Sequence, residues 1–387
     1  MPFCNDLIEL YRLRAARSAQ IMMKVPEITL LASQFMTNIH ESALRRLLLT
    51  CCSAEEVAEL LRTVHVAPAI EGPHASVAID YPAVGSVSRA VLTQALNLLL
   101  FRDLLTRVPT GKSYVSDCVS KGRHVFFDHG ALRTVALDGM GALPAGEEAI
   151  TRVLLPLGYT LGSVYPLDRL GMTGRSYTHV DFPEELPQFF VSELHPERFS
   201  PAFQAAVARV TSASRDPLTV AAQEALQELT AHRALSFEKA SAVLPSLLAC
   251  FQRQHAAPHL SDYETLLAES AEMAWIATEG NSFNHATDRV ASLEEVVEDQ
   301  RRLARPLKDS IEVSRSGRVR QTAFRADMVE RDFVDSDGSI VQRTVPGSFF
   351  EFIQRERLHD PLTGTTRLDL AFDSRNAQGI FKMTAAA

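Results

Sequence analysis

The feature that most constrains this chain is a repeat inside it. Phe127-Asp-His129-Gly-Ala-Leu-Arg133 and Phe283-Asn-His285-Ala-Thr-Asp-Arg289 both read F-x-H-x-x-x-R. Each copy is followed by an amphipathic segment with helical spacing, 146–157 in the first and 292–303 in the second. Strand-like runs come next and end in Pro187-Gln-Phe-Phe-Val191 and Gly347-Ser-Phe-Phe-Glu351. A unit repeated in this way predicts two similar half-sheets facing each other across a pseudo-twofold axis. The chain therefore reads as α+β: paired βαβββ modules with N-terminal and inserted helical segments.

The divisions follow the pattern. Residues 1–110 read as a helical N-terminal segment, 111–195 as the first module, 196–275 as a helical insertion, and 276–387 as the second module with a C-terminal closing loop. Ser53-Ala-Glu-Glu56 has the form of a capping box ahead of Val57, Leu60 and Leu61. Val91, Leu92, Ala95, Leu98 and Leu99 fall at helical spacing within 86–108. Strands are expected at 123–137, 159–165, 176–182 and 188–194, with several more between 311 and 354. Asp335-Ser-Asp-Gly338 between two β-rich runs signals a hairpin.

Composition excludes some classes of partner. A net charge of −8 argues against nucleic acid or an anionic membrane as the main partner, since both need a basic face. The arginines between Arg315 and Arg325 are dispersed and read as a solvated strand face. Five cysteines without a CxxC spacing suit a reducing compartment. MPFCNDLIEL is not expected to be a signal peptide, and the most apolar run, 91–101, carries Thr93, Gln94 and Asn97. It falls short of the ~20 residues of a membrane span. A cytoplasmic protein is expected; its oligomeric state is not legible.

The repeat also concentrates chemistry. His129 and His285 start their modules and would meet near the axis. Glu351 ends the second module, and its counterpart in the first is Val191. Two imidazoles and one carboxylate leave open positions on a metal, an arrangement that favours non-haem Fe(II), whereas a structural zinc site is closed by four protein ligands. The competing reading places two of twelve histidines in polar strands by chance. Glu351 shares a strand face with Phe349 and Ile353, so it needs a cation or a donor; a salt bridge to Arg289 is the alternative to a metal. Arg133, two pleats beyond His129, suits a substrate carboxylate held bidentately, or an ion pair with Asp128 or Asp181. His179 and Glu193 compete as ligands, although Pro183 and Pro187 favour a structural loop there. Gly139-Met-Gly141 lacks a third glycine in place, and Thr106 stands where a P-loop ending in Gly111-Lys-Ser113 needs its first.

Asp128-His-Gly-Ala-Leu-Arg133, Asn284-His285, Pro346-Gly-Ser-Phe-Phe-Glu351 and Asn376-Ala-Gln-Gly-Ile-Phe381 together resemble the 2-oxoadipate dioxygenase/decarboxylase (2-hydroxyglutarate synthase) family, in order from about residue 125 to 382. The resemblance implies a vicinal-oxygen-chelate-like sheet and a metal, Fe(II), on His129, His285 and Glu351. It makes Arg133 the substrate-binding and catalytic arginine. It places Arg375 and Asn376 in a substrate-binding loop, where Arg375 could be a second carboxylate clamp. The activity implied is conversion of 2-oxoadipate and O₂ into 2-hydroxyglutarate and CO₂, a step of lysine degradation, so the partners are a small 2-oxo dicarboxylic acid and O₂. Two alternatives stay open: a glyoxalase-like isomerase or hydrolase using Zn or Ni with a fourth ligand where Val191 stands, and a non-catalytic small-molecule binding protein of the same fold.

Overall fold

The computed structural model describes residues 42–71, 85–359 and 361–373; Arg375, Asn376 and the Gly379-Ile-Phe381 motif lie outside them. Eight strands form one mixed sheet: β1 (Phe127–Val135), β2 (Tyr159–Leu167), β3 (Met172–His179), β4 (Gln188–Leu194), β5 (Phe283–Arg289), β6 (Glu312–Val313), β7 (Val319–Ala323) and β8 (Phe349–Arg355). Their order is β2-β3-β4-β1-β5-β8-β7-β6. Read outward from the centre, the two halves match. In each, the first strand pairs in parallel with the last (β1 with β4, β5 with β8), and the two strands between them in sequence lie outward. Antiparallel pairing of β1 with β5 joins the halves. A helix follows the first strand of each half, Glu148–Leu154 and Leu293–Arg302, the second capped by Ser292. The paired βαβββ reading is thus the observed topology, with one addition. The second half carries an extra antiparallel hairpin, 328–334 with 340–346, and Asp335–Gly338 lies at its turn.

Strand alternation gives the sheet two unlike faces. Phe127, Leu132, Phe189, Val191, Phe283, Ala286, Phe350 and Phe352 belong to the main apolar core. That core includes α1 (Arg89–Arg107), buried nearly all round. Phe101 of α1 packs on Phe127 and Phe350 at centroid distances of 5.1 and 6.2 Å, and each such buried ring contributes roughly 1.5–3 kcal/mol. Two polar side chains of α1 find partners inside: Thr93 donates to Leu157 O and Asn97 to the Tyr159 hydroxyl. No described helix is long and apolar enough to cross a membrane. Gly130 has a local reason as well, because a Cβ there would lie 2.3 Å from the Phe283 ring that packs beneath β1.

The Ser53–Glu56 capping box forms and starts the 54–63 helix. The insertion between the modules is helical, and its Phe203, Tyr263 and Trp275 share a second core with Phe333 and Val345 of the extra hairpin. β3 differs from the expected 176–182. It begins at Met172 and stops at His179 because His179 Nδ1 accepts the backbone N–H groups of Asp181 and Phe182, which turns the chain out of the sheet. The arginines of 315–325 lie at the surface as expected, where Arg318 pairs with Asp369, Arg320 with Glu294 and Arg325 with Asp309.

Candidate metal centre

The sheet face opposite the main core carries His129, Ala131 and Arg133 from β1, His285 and Thr287 from β5, and Glu351 from β8. Register explains the convergence. Antiparallel pairing sets His129 against Thr287 and Ala131 against His285, so the two histidines are diagonal neighbours on one face. Parallel pairing sets Glu351 against Thr287. As a result Glu351 Oε2 lies 2.9 Å from His285 Nε2 and 3.6 Å from His129 Nε2, and the two Nε2 atoms are 3.4 Å apart. All three side chains are buried, and their nearest ligating atoms fall within 4.8 Å of one another; they form the one such His/Cys/Asp/Glu group among the described residues.

Two β-bulges aim the histidines. The register slips between Phe127 and His129 on β1, and again opposite Phe283 and His285 on β5. Each slip leaves the residue before the histidine, Asp128 or Asn284, as the extra one. Both therefore lie beside the imidazole that follows. Asp128 Oδ1 is 2.9 Å from His129 Nδ1 and fixes the tautomer that carries the proton there, leaving the Nε2 lone pair toward Glu351. The amide of Asn284 lies 3.1 Å from His285 Nδ1, and its Oδ1 has no hydrogen-bond partner. Turned end for end, the amide accepts the Nδ1 proton in the same way.

The electrostatics fit a cation. Burial pushes the Glu351 carboxyl up, but the His285 and His129 rings outweigh it and hold it at about 2. Burial lowers both histidines; Asp128 and Glu351 reverse the direction for His129, while His285 stays depressed, with the Arg133 charge acting in the same sense. Glu351 Oε1 is buried with no hydrogen-bond partner, and a lone carboxylate oxygen in such a place costs roughly 1–3 kcal/mol or more. A divalent ion accepting two Nε2 lone pairs and the carboxylate would remove that cost, so the donor set fits a metal. Thr287 completes the group, its hydroxyl donating to Glu351 Oε2 at 3.1 Å and lying 3.1 Å from His129 Nε2.

Arg133 is fully buried on the same face, its guanidinium 4.9 Å from the Trp275 ring. Burial draws it down to about 10, against the opposing charge of Glu272. The acids considered for it are engaged elsewhere: Asp128 with Arg355 and Asp181 with Arg89. Arg289, the alternative partner for Glu351, stacks on Phe126 instead. His179 and Glu193 have structural roles. His179 Nε2 donates to Leu157 O, and Glu193 accepts from the Glu147 N–H and pairs with Arg175.

One expectation is corrected. The ladder pairs Ala131 with Phe190 as it pairs Thr287 with Glu351, so Phe190 and not Val191 is the counterpart of Glu351. Val191 pairs with Leu132 and belongs to the main core on the other face. Phe190 instead clusters with Ala131, Tyr165 and Phe372 beside the histidines. The Phe-Phe pairs of the two modules are offset by one residue in the ladder, and one residue changes the face. Thr287 and Arg355 carried no sequence signal that singled them out. Asp128 and Asn284 did, as an acid or amide directly before each repeated histidine.

The family described as 2-oxoadipate dioxygenase/decarboxylase matches residues 98–382. A curated relative, the chloroplastic 2-oxoadipate dioxygenase/decarboxylase of Arabidopsis thaliana, is 25% identical over 335 residues, 78% of each chain. A crystal structure from Ralstonia eutropha JMP134, described as a glyoxalase superfamily protein, is 51% identical with a TM-score of 0.78, covering 86% of this chain and 98% of that one. The hydroxyglutarate synthase of Oryza sativa, solved in complex with 2-oxoadipate, shares the fold at 20% identity and a TM-score of 0.60, over 79% of this chain and 97% of the other. Because the family match spans both modules and the helices between them, this chain belongs to the 2-oxoadipate dioxygenase/decarboxylase family.

Proposed function

We propose that this chain is an Fe(II)-dependent dioxygenase that oxidatively decarboxylates a 2-oxo dicarboxylic acid, with 2-oxoadipate and O₂ giving 2-hydroxyglutarate and CO₂. One observation carries the reading: two imidazoles and one carboxylate converge, while Phe190 holds the fourth corner of the pseudo-symmetric site. Three ligands leave open positions for a chelating substrate and oxygen. Family membership supports the same chemistry.

His129, His285 and Glu351 would hold the metal, and bound Fe(II) would supply the redox chemistry and the point at which the 2-oxo acid chelates. The chain's own residues do the rest. Arg133 stays cationic at neutral pH even when drawn down to about 10, and donates its N–H fork to the distal carboxylate of the substrate. Trp275 lies against its guanidinium, and Ala131 is the small residue between His129 and Arg133 on that face. Tyr165, Phe190 and Phe372 form an apolar wall that excludes water on the side of β4. Asp128 keeps a proton on His129 Nδ1, so that Nε2 is the nitrogen that would face the metal.

The relative described as a glyoxalase superfamily protein favours a second reading, a Zn- or Ni-dependent isomerase or hydrolase. Phe190 counts against it, because it occupies the place of a fourth protein ligand. The separating experiment loads anaerobically purified protein with Fe(II), adds 2-oxo acids of four to seven carbons, and follows O₂ uptake with CO₂ release. Equal amounts of O₂ consumed and CO₂ released are expected, with both abolished by His285→Ala. Protein that binds Fe(II) but consumes no O₂ with any of these acids would overturn the proposal.

A further inference from the structure

Arg355 ends β8 four residues after Glu351, and its side chain is completely buried. Its guanidinium faces two ways. Nε and Nη2 donate to Asp128 at 2.9–3.1 Å, and Asp128 in turn accepts the Nδ1 proton of His129. Nη1 donates to two backbone carbonyls of the C-terminal segment, Asp369 O at 3.0 Å and Ala371 O at 2.8 Å. The guanidinium carbon also lies 4.9 Å from the Phe372 ring. Phe372 meets the edge of His129 with a centroid distance of 4.9 Å, and its N–H donates to the Tyr165 hydroxyl.

His129 is therefore gripped from two sides, by Asp128 at Nδ1 and by Phe372 on the ring, and a single guanidinium sets both. We infer that Arg355 is a positioning residue that couples the seating of the 369–372 strap to the orientation of His129. The strap is held elsewhere too: Asp369 N–H donates to Glu356 O, and Leu370 O accepts from Gln188. Those contacts fix its path but do not touch His129. Phe372 touches the His129 ring directly, and the Arg355 fork joins strap and ligand a second time through Asp128, because a planar guanidinium donates along two edges at once, which an ammonium on a flexible stem does not do with fixed geometry. The inference rests on the reading of His129, His285 and Glu351 as metal ligands.

Such coupling has a crosswise signature. Asp128→Asn weakens the fork's inner edge and touches nothing in the strap, yet it is expected to speed amide hydrogen exchange at Ala371 and Phe372 about tenfold. Phe372→Ala leaves Asp128 and Arg355 in place, yet it is expected to weaken Co(II) binding about tenfold, within the 10–100-fold range of changes one shell out from a metal, and to shift the Co(II) visible spectrum. Arg355→Lys is expected to do both. Arg355→Met combined with Asp128→Asn removes both buried charges together, so it retains the fold if the single variants do not, and is expected to remain weak for Co(II).

The measurements are Co(II) titration by visible absorption and hydrogen exchange read by mass spectrometry, on the full chain. If wild-type protein and His285→Ala bind Co(II) alike, the metal-site reading itself fails. If wild type binds and His285→Ala does not, but Phe372→Ala binds as wild type does and Asp128→Asn leaves the strap amides protected, the coupling alone is overturned.

Discussion

The two modules share one topology and differ where it matters. Each opens with a bulged strand that turns a histidine inward, and each closes with a strand parallel to the first. At equivalent positions, however, the second module supplies Thr287 and Glu351, while the first supplies Ala131 and Phe190. Symmetry brings the two histidines together; asymmetry keeps the site open. A fully symmetric pair would offer a bound metal four protein ligands and leave less for a substrate. The first module adds what the second lacks on this face, a buried Arg133 two pleats beyond the histidine, whose equivalent Arg289 is drawn off to Phe126 and the Glu184 carbonyl. In the proposed reading, the second module gives two of the three metal ligands, and the first gives one together with the arginine that meets the substrate.

Removing the asymmetric ligand breaks the comparison most strongly. Glu351→Ala leaves two histidines and no carboxylate, and Fe(II) or Co(II) affinity is expected to fall by more than about 100-fold, since residues one shell further out already cost about 10–100-fold. Equilibrium dialysis would show it, and unchanged affinity would remove Glu351 from the site. Restoring symmetry tests the opposite direction. Phe190→Glu places a carboxylate at the counterpart position; the metal is expected to resist a chelator about tenfold longer while O₂ uptake falls to background. A variant that keeps normal turnover would show that the corner held by Phe190 is not needed open. Smaller still is Thr287→Ala, which copies the first module's Ala131 into the second. It frees Glu351 Oε2 from its hydroxyl donor and is expected to weaken the metal about tenfold, with the fold's stability changed by roughly 1 kcal/mol.

These differences also explain what the sequence could disclose. The repeat announced paired modules and the three converging side chains because duplication leaves a pattern in the residues themselves. Which of Phe190 and Val191 shares the histidine face was not legible, since it depends on ladder register, and a slip of one residue exchanges the two faces of a strand. The bulges that bring Asp128 and Asn284 beside their histidines also depend on register. Arg355 reaches Asp128 from 227 residues away in sequence, a contact that no local pattern encodes. The extra 328–346 hairpin was legible at its Asp335–Gly338 turn, but its place outside the main sheet was not, because alternation looks the same in either sheet. Arg375 and Asn376 lie outside the described residues, so their part in the site stays a proposal.

A last expected effect touches stability rather than activity and concerns protons buried away from the candidate metal centre, where the two modules again differ. In the first, His179 is buried as a neutral ring, donating to Leu157 O and accepting two backbone N–H groups; burial depresses it from 6.5 to about 4. In the second, Asp288 is buried under Tyr114, which donates to it at 2.6 Å, and burial, with the Asp128 charge adding to it, raises it from 3.8 to about 6. The signs are opposite. A histidine depressed in the folded state binds its proton more readily when unfolded, so its contribution is complete above pH 6.5 and is lost as pH falls toward 4. A raised aspartate holds its proton more tightly when folded, so its contribution is complete below pH 3.8 and is lost as pH rises through 6. Each is limited to about 3 kcal/mol at 1.36 kcal/mol per pKa unit, and between pH 4 and 6 the two slopes oppose each other. Urea unfolding across pH 4 to 7 separates them. Asp288→Asn is expected to gain on wild type as pH rises, because the cost of ionising a buried carboxyl is gone. His179→Gln is expected to fall furthest below wild type near neutrality and to converge with it toward pH 4. Stability curves that stay parallel to wild type for both variants would mean that neither module carries a buried titrating group of this kind.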